Sequence, residues 1–183
     1  MSSRNVLAWL SLFFLASVAH AQDLLSGPEV GKPVPALNVF AVTGPSAGGE
    51  IDYADQRKDK PTIYVFIQAD KWDRPVARFL RDLDQAMPKV DQDAYVVAVW
   101  LTDDQQKTKQ YLPTAQQSLQ FGGTALTQFS GDKAGPEAWK IHAGAYLTAV
   151  VVAKGKVAAN FAYRSVNETV VPEVRDALKS GLN

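Results

Sequence analysis

The sequence contains no cysteine among its 183 residues. A chain without a thiol cannot form a disulfide, catalyse thiol–disulfide exchange or reduce a peroxide through a reactive cysteine. It also has no thiolate ligand to offer to zinc or to an iron–sulfur cluster. Composition alone therefore excludes these classes of function.

An excess of charge of one sign is also lacking, because 19 Lys and Arg balance 19 Asp and Glu. The basic residues are scattered along the chain, whereas binding to nucleic acid or to an anionic membrane surface needs them in clusters. The sequence therefore predicts no nucleic-acid partner.

Histidine is scarce, since His20 and His142 are the only two in the chain. A single histidine without cysteine does not make the usual zinc site, and no Gly-x-Ser-x-Gly motif supplies a nucleophile for a triad that uses His142. The glycine-rich loops lack the Lys-Ser/Thr pair of a phosphate-binding loop. We therefore predict no metal site, no cofactor and no catalytic triad.

The one long apolar run lies at the N-terminus, from Val6 to Ala19. It is shorter than the roughly 20 residues of a membrane-spanning helix. Arg4 precedes the run and Ala19-His20-Ala21 ends it, which is the pattern of a cleavable export signal. We expect residues 1–21 to be removed and the mature protein to be exported, periplasmic or extracellular, without stable membrane insertion. Retention of the signal as an uncleaved anchor is the alternative.

The remaining chain is long enough for one domain with a substantial core. Residues 22–35, rich in Pro and Gly, predict an extended lead-in segment, and residues 36–183 predict a single domain. Strands are predicted at 37–43, 62–67 and 94–101, as a short strand with a loop within 121–131, and in a hairpin that turns at Lys154-Gly155. Helices are predicted after Asp73, after Thr102 (ending or kinking at Pro113) and at the C-terminus. This order predicts a mixed central sheet with helices on both faces.

The first long helix begins in the stretch Trp72-Asp73-Arg74-Pro75-Val76. Asp73 is a preferred N-cap residue, and Pro75 suits the first turn, where its missing N–H loses nothing. Val76 starts an apolar stripe with helical spacing. We therefore predict that Asp73 caps the helix and that Val76 packs in the core. The alternative is that Asp73 is a general base or a ligand-binding carboxylate.

The element order and this stretch resemble the thioredoxin-like fold, and VGKPVPALNVF is similar to the start of its exported thioredoxin- and peroxiredoxin-related members. In that family a buried strand leads through Trp-Cys-x-Pro-Cys into the first long helix. Trp72 and Pro75 match this motif, whereas Asp73 stands at the nucleophilic cysteine and Val76 at the resolving one. The resemblance implies a thioredoxin-like three-layer α/β sandwich, with a central mixed sheet flanked by helices, whose redox activity is lost.

A second mark of the family is a cis-proline followed by threonine. Here Leu147-Thr148 keeps the threonine and lacks the proline. A cis bond before a residue other than proline costs about 2.5–4 kcal/mol. We therefore expect the peptide bond between Tyr146 and Leu147 to be trans.

The resemblance also implies that the start of the helix and the loop before Leu147 converge on one surface. We expect a shallow groove lined by Trp72, Asp73, Tyr146 and Leu147 that binds a protein or an extended peptide. Ordinary packing of the aromatic side chains is one alternative. A non-thiol enzyme that uses Asp73 is another, and a classification as an oxidoreductase would rest on the fold alone.

The missing thiols predict that the purified chain neither reduces the disulfides of insulin nor consumes peroxide, because both reactions need a thiolate nucleophile. An insulin turbidity assay and a peroxide consumption assay measure this directly. A cysteine-containing thioredoxin is the positive control. Turnover by the cysteine-free chain would contradict the prediction.

Overall fold

The computed structural model describes residues 24–183, so the predicted signal peptide lies outside the described residues. A mixed seven-stranded sheet forms the centre of the fold, in the order β2-β1-β5-β4-β3-β6-β7. Strands β3, β4 and β5 run parallel, and the other pairs are antiparallel. The strands are β1 Asn38–Ala41, β2 Gly49–Asp52, β3 Thr62–Gln68, β4 Tyr95–Leu101, β5 Thr124–Gln128, β6 Leu147–Ala153 and β7 Lys156–Tyr163.

Within residues 24–183, four α-helices accompany the sheet: α1 Tyr53–Arg57, α2 Arg74–Ala86, α3 Gln105–Leu119 and α4 Val171–Leu182. Short 3₁₀ turns occur at Ala69–Lys71, Met87–Lys89, Glu137–Trp139 and Glu168–Val170. Among residues 24–183, none of the helices combines the length and the apolar character that crossing a bilayer requires.

The central strands are buried on both faces, as the unbroken apolar runs predict. Alternate residues of β3, such as Val65, pack against α2, α3 and α4 on one face. Phe66 faces the other side, where its ring lies 4.9 Å from that of Trp139 and where α1 also packs. The structure is therefore a three-layer α/β sandwich with the sheet in the middle. The three long helices form one outer layer. Helix α1 and the Trp139 turn form the other, where they pack against side chains of the sheet that include those of β1.

The lead-in segment lies along the outer strand β7. Pro33 pairs with Lys156, the Gly31 N–H donates to the Val157 carbonyl at 2.8 Å, and the Val157 N–H donates to the Lys32 carbonyl at 2.9 Å. An unpaired sheet edge is a template for association with other chains. These contacts cover part of that edge.

Two elements were not predicted. Strand β2 and helix α1 both lie between the predicted strands at 37–43 and 62–67, where no strand or helix was predicted. Strand β2 forms because it pairs with β1. Helix α1 begins because the Asp52 carboxylate accepts bonds from the Ala54 N–H at 2.9 Å and from the Leu37 N–H at 2.9 Å. Segments of four or five residues are too short to show a periodic pattern.

Helix α3 starts later than predicted and does not end at Pro113. Its N-cap is Asp104, whose Oδ1 accepts from the Lys107 N–H at 3.0 Å, and not Thr102, which instead accepts from the Asp104 N–H. Pro113 neither ends nor divides the helix. Leu112 and Ala115, on either side of it, are buried against the sheet, so packing offsets the one backbone bond that proline removes.

A buried carboxylate joins α2 to the loop before β5. Asp84 is 6% exposed, and its Oδ1 accepts from the Gly123 N–H at 2.8 Å and from the Thr124 hydroxyl at 2.6 Å. Its Oδ2 accepts from the Gly122 N–H at 3.0 Å. Backbone and hydroxyl donors thus compensate the burial of the charge.

Replacing Asp84 with alanine leaves three donors without a partner, so Asp84→Ala is expected to lower the free energy of unfolding by about 3 kcal/mol. Urea denaturation of the two proteins measures the difference. Asp82→Ala is the matched control, because Asp82 lies at the surface of the same helix and pairs only with its neighbour Arg81. We expect the control to stay within about 0.5 kcal/mol of the parent. Equal losses in the two variants would contradict the role of Asp84.

Candidate functional site at the start of α2

The start of α2 has both a capping side chain and a core contact, and neither uses a sulfur atom. Asp73 has an extended backbone, and its Oδ1 accepts from the Val76 N–H at 3.0 Å. Pro75 lies in the first turn, Arg74 is exposed, and Val76 is only 3% exposed, within the core beneath α2. The predictions that Asp73 caps the helix and that Val76 packs are confirmed.

Trp72, just before the cap, is held on two sides. Its indole Nε1–H donates to the Tyr111 hydroxyl of α3 at 2.7 Å. Its ring lies 5.0 Å from the ring of Trp100 at an interplanar angle of 59°. Trp100 belongs to β4 and is buried, so Trp72 rests on the sheet and on α3 at once.

The pair Leu147-Thr148, which stands where the family has cis-proline and threonine, lies at the start of β6. No peptide bond in the described residues is cis, so the bond before Leu147 is trans as predicted. The side chain of Leu147 is fully buried on the α2 face. Thr148 is also buried, and its hydroxyl lies 2.7 Å from that of Ser26 in the lead-in segment. Neither side chain lines an exposed groove.

Tyr146 remains at the surface, 40% exposed. The ammonium of Lys71 lies 5.1 Å from the centre of its ring, close enough for a cation–π contact. The Asp70 carboxylate lies 3.0 Å from the same ammonium and raises the pKa of Lys71. Lys71 therefore keeps its charge over Tyr146 at neutral pH.

Two adjoining pockets form a cleft at the carboxyl ends of β3 and β4. The aromatic pocket has a volume of about 260 Å³ and is lined by Ala69, Asp70, Trp72, Trp100, Thr102, Asp104, Lys107, Thr108 and Tyr111. The wide pocket has a volume of about 750 Å³ and includes Gln68, Lys71, Asp103, Asp132, Lys133 and Tyr146. The two share Ala69, Asp70, Thr102 and Asp104. Ligands of open α/β sheets commonly bind at this edge.

Acids outnumber bases in the wide pocket. Four aspartates line it, at positions 70, 103, 104 and 132, against Lys71 and Lys133. The Lys133 ammonium lies 2.5 Å from the Asp103 carboxylate, which raises the pKa of Lys133. Among the described residues, neither this pocket nor any other region contains a group of three or more His, Asp or Glu side chains placed to hold a metal ion.

The predicted groove residues are only partly together. Trp72 lines the aromatic pocket and Tyr146 the wide pocket of the same cleft. Asp73 borders a neighbouring depression between α2 and α3 that Trp72 also lines, and Leu147 lies in the core. Tyr111 was not among the predicted groove residues, yet it is 44% exposed on α3 beside Trp72. The available signal was that Tyr111 is the one aromatic residue between Gln105 and Leu119.

No model of a known protein family matches the sequence, and comparison with curated proteins finds no match. Solved structures do match. A Chlorobium tepidum protein assigned as the thiol:disulfide interchange protein DsbE has a TM-score of 0.62 at 13% identity, over 85% of this chain and 99% of that one. The fold is thioredoxin-like.

Two further thioredoxin-like neighbours agree. A DsbF homologue from Corynebacterium diphtheriae has a TM-score of 0.60 at 18% identity, over 91% of this chain and 99% of that one. The peroxidoxin BcpB from Mycobacterium tuberculosis has a TM-score of 0.60 at 14% identity, over 84% and 97%. The chain has this fold without any cysteine: its helix start has a cap at Asp73 and a core side chain at Val76.

The cap predicts a specific pattern of stability. Asp73→Ala is expected to lower the free energy of unfolding by about 1 kcal/mol, because the Val76 N–H loses its acceptor. Asp73→Ser is expected to keep most of that energy, because a hydroxyl at the N-cap accepts the same bond. Urea denaturation of the three proteins measures both. If serine failed to restore stability, the role of Asp73 would not be capping.

Proposed function

We propose that this thioredoxin-like domain is an exported binding module without thiol redox activity, which holds an extended segment of a protein or peptide in the cleft. The observation that carries the proposal is the fixed position of Trp72, which lines the aromatic pocket and is braced by Trp100 and Tyr111. The proposed export follows from the N-terminal signal pattern.

A braced aromatic side chain suits binding for an energetic reason. Ordering a mobile side chain on association costs free energy, and Trp72 has already lost that freedom through its hydrogen bond and ring contact. Trp and Tyr are also the residues that most often dominate binding energy at interfaces. The aromatic pocket would therefore accept an apolar or aromatic side chain as the anchor of the partner.

The wide pocket adds a preference of charge. Its aspartates outnumber its lysines, and both lysines are already paired, with Asp70 and Asp103. Complementary charges favour correct encounter more than they add affinity. The proposed partner therefore carries a basic residue beside its apolar anchor, within one extended segment that crosses both pockets.

Catalysis by Asp73 has no comparable support. Its Oδ1 accepts the Val76 N–H, and Asp73 lies outside both pockets of the cleft. The cap accounts for the residue.

The proposal predicts that Trp72 is a binding hot spot. Peptides selected from a displayed library against the parent protein are expected to bind Trp72→Ala about 30-fold more weakly, which corresponds to about 2 kcal/mol. Tyr146→Ala is expected to cause a loss of affinity several-fold smaller than that of Trp72→Ala, because Tyr146 lines only the wide pocket. Calorimetric titration gives the affinities, and circular dichroism checks that each variant is folded.

Leu25→Ala is the matched control for this experiment. Leu25 is 88% exposed and apolar but lies outside the cleft, so its removal is expected to leave the affinity unchanged. Selected peptides that bind Trp72→Ala as tightly as the parent would refute binding in the cleft.

A further inference from the structure

The outer edge of β7 is only partly covered by the lead-in segment. Followed towards its N-terminus, the segment bonds to the edge at Val157 and then leaves it. It crosses over the face of the sheet, where the Ser26 hydroxyl lies 2.7 Å from that of Thr148 in β6. Since Thr148 pairs with Ala162 of β7, the segment there lies above the strands and not beside them. The last part of the β7 edge is therefore open.

Main-chain groups of Asn160 and Ala162 point outward from this open edge. The carbonyl of Tyr163 faces inward, because it accepts from the Tyr146 N–H at 2.8 Å. In an antiparallel ladder, successive residues direct their N–H and C=O groups to opposite edges of the strand. The main-chain groups of Asn160 and Ala162 therefore face away from β6, where they have no hydrogen-bond partner among the described residues. An unpaired edge of this kind is a template for another strand.

A cavity of about 720 Å³ lies along the open edge. Lead-in residues 24–30 form one wall, and Glu173 of α4 belongs to the other. Leu25 and Val30 line the cavity, and they are 88% and 55% exposed, more than any other large apolar residue among those described. A slot with walls from both outer layers, open at the edge of a sheet, suits an extended strand.

A second copy of the chain matches this edge. Antiparallel pairing of β7 with β7 of a second copy, about a two-fold axis at Phe161, places Asn160 of each copy opposite Ala162 of the other. Each outward N–H then donates to a carbonyl across the axis, so no outward group is left over. Such an interface is isologous, because both copies use the same surface. The open edge is no longer than this pairing needs, since the lead-in blocks it at Val157 and β7 ends at Tyr163.

The exposed apolar side chains match under the same symmetry. The lead-in segment runs antiparallel to β7, because Pro28 accepts from the side chain of Asn160 while later residues of the segment bond to earlier residues of β7. Val30 therefore lies towards one end of the open edge and Leu25 towards the other. The two-fold axis exchanges these ends and brings Leu25 of each copy to Val30 of the other. Covering these side chains removes apolar surface from water, which favours association.

The charges of the surface also suit a second copy. The chain has 19 basic and 19 acidic residues, so two copies carry no net charge that would hold them apart. The wall of the cavity includes an exposed acid, Glu29, and an exposed base, Lys140. An isologous contact uses such a pattern well, because each copy can pair its acid with the base of the other.

We infer that β7 pairs with β7 of a second copy, so that the protein forms a two-fold dimer whose central sheet is continuous across both copies. The cavity at this edge shares no residue with the cleft at the start of α2. The inference therefore goes beyond the proposed function and is tested separately from it.

The first test is the oligomeric state of the purified protein in solution. Sedimentation velocity over a dilution series is expected to show the mass of one chain at low concentration and of two chains at high concentration. Ala162→Pro removes an outward N–H and leaves the β6–β7 ladder intact, so it is expected to weaken dimerisation about tenfold or more. Ala162→Ser is the matched control, because it keeps that N–H, and it is expected to dimerise as the parent does.

Leu25→Asp tests the same contact without changing the strand. Leu25 lies at the surface, so its replacement leaves the fold intact, and a carboxylate facing the apolar Val30 of the other copy is expected to weaken dimerisation by a similar factor. Circular dichroism and the melting temperature at low concentration check that each variant is folded.

Hydrogen exchange locates the contact. Exchange at the amides of Asn160 and Ala162 is expected to slow as the protein concentration rises, whereas the amide of Phe161, which faces β6, is protected throughout. The inference is overturned if the protein keeps the mass of one chain at every concentration, or if Ala162→Pro and Leu25→Asp both dimerise as the parent does. Protection of Asn160 and Ala162 only when an extended peptide is added would assign the edge to a different partner and overturn it as well.

Discussion

The burial of β3 on both faces is the constraint on which the rest of the structure depends. From Thr62 to Ile67 every side chain is buried, and the strand is paired with β4 on one edge and β6 on the other. A strand without a solvent face needs a layer above and below the sheet. Parallel pairing with β4 then requires a crossover helix, which is α2. The start of α2 and the end of β4 therefore meet at one edge, where the cleft lies.

The start of α2 is stable without thiol chemistry, because the first turn of any helix can be stabilised by other groups. Its first N–H groups lack partners within the helix, and the macrodipole favours negative charge there. An aspartate accepts a hydrogen bond from one of these N–H groups and places a negative charge at the helix start. For this reason Asp73 can stand where the resemblance places a nucleophilic cysteine. Val76 contributes in a different way, because its side chain fills the core beneath α2. The same edge thus keeps its geometry while its surface, around Trp72, is open to another use.

Much of the architecture could be predicted because its signals are local. The bounds of β3, β4 and α2 follow from apolar runs, from the spacing of Val76 and its stripe, and from Asp73 as a cap. Short elements such as β2 and α1 could not be predicted, since they depend on pairing with β1 and on a bond to Leu37. The start of α3 was misplaced because Thr102 and Asp104 are both good capping residues, and only the fold chooses between them.

The sequence by itself determined that thiol chemistry is absent, that α2 starts with a carboxylate cap, and that the central strands are covered on both faces. These conclusions depend on residue type and short-range spacing. Only the tertiary structure decided that Trp72 rests on Trp100 and Tyr111, and that Leu147 is buried while Tyr146 is exposed. Each of these depends on groups far apart in the chain, whose distance is set by how the layers pack.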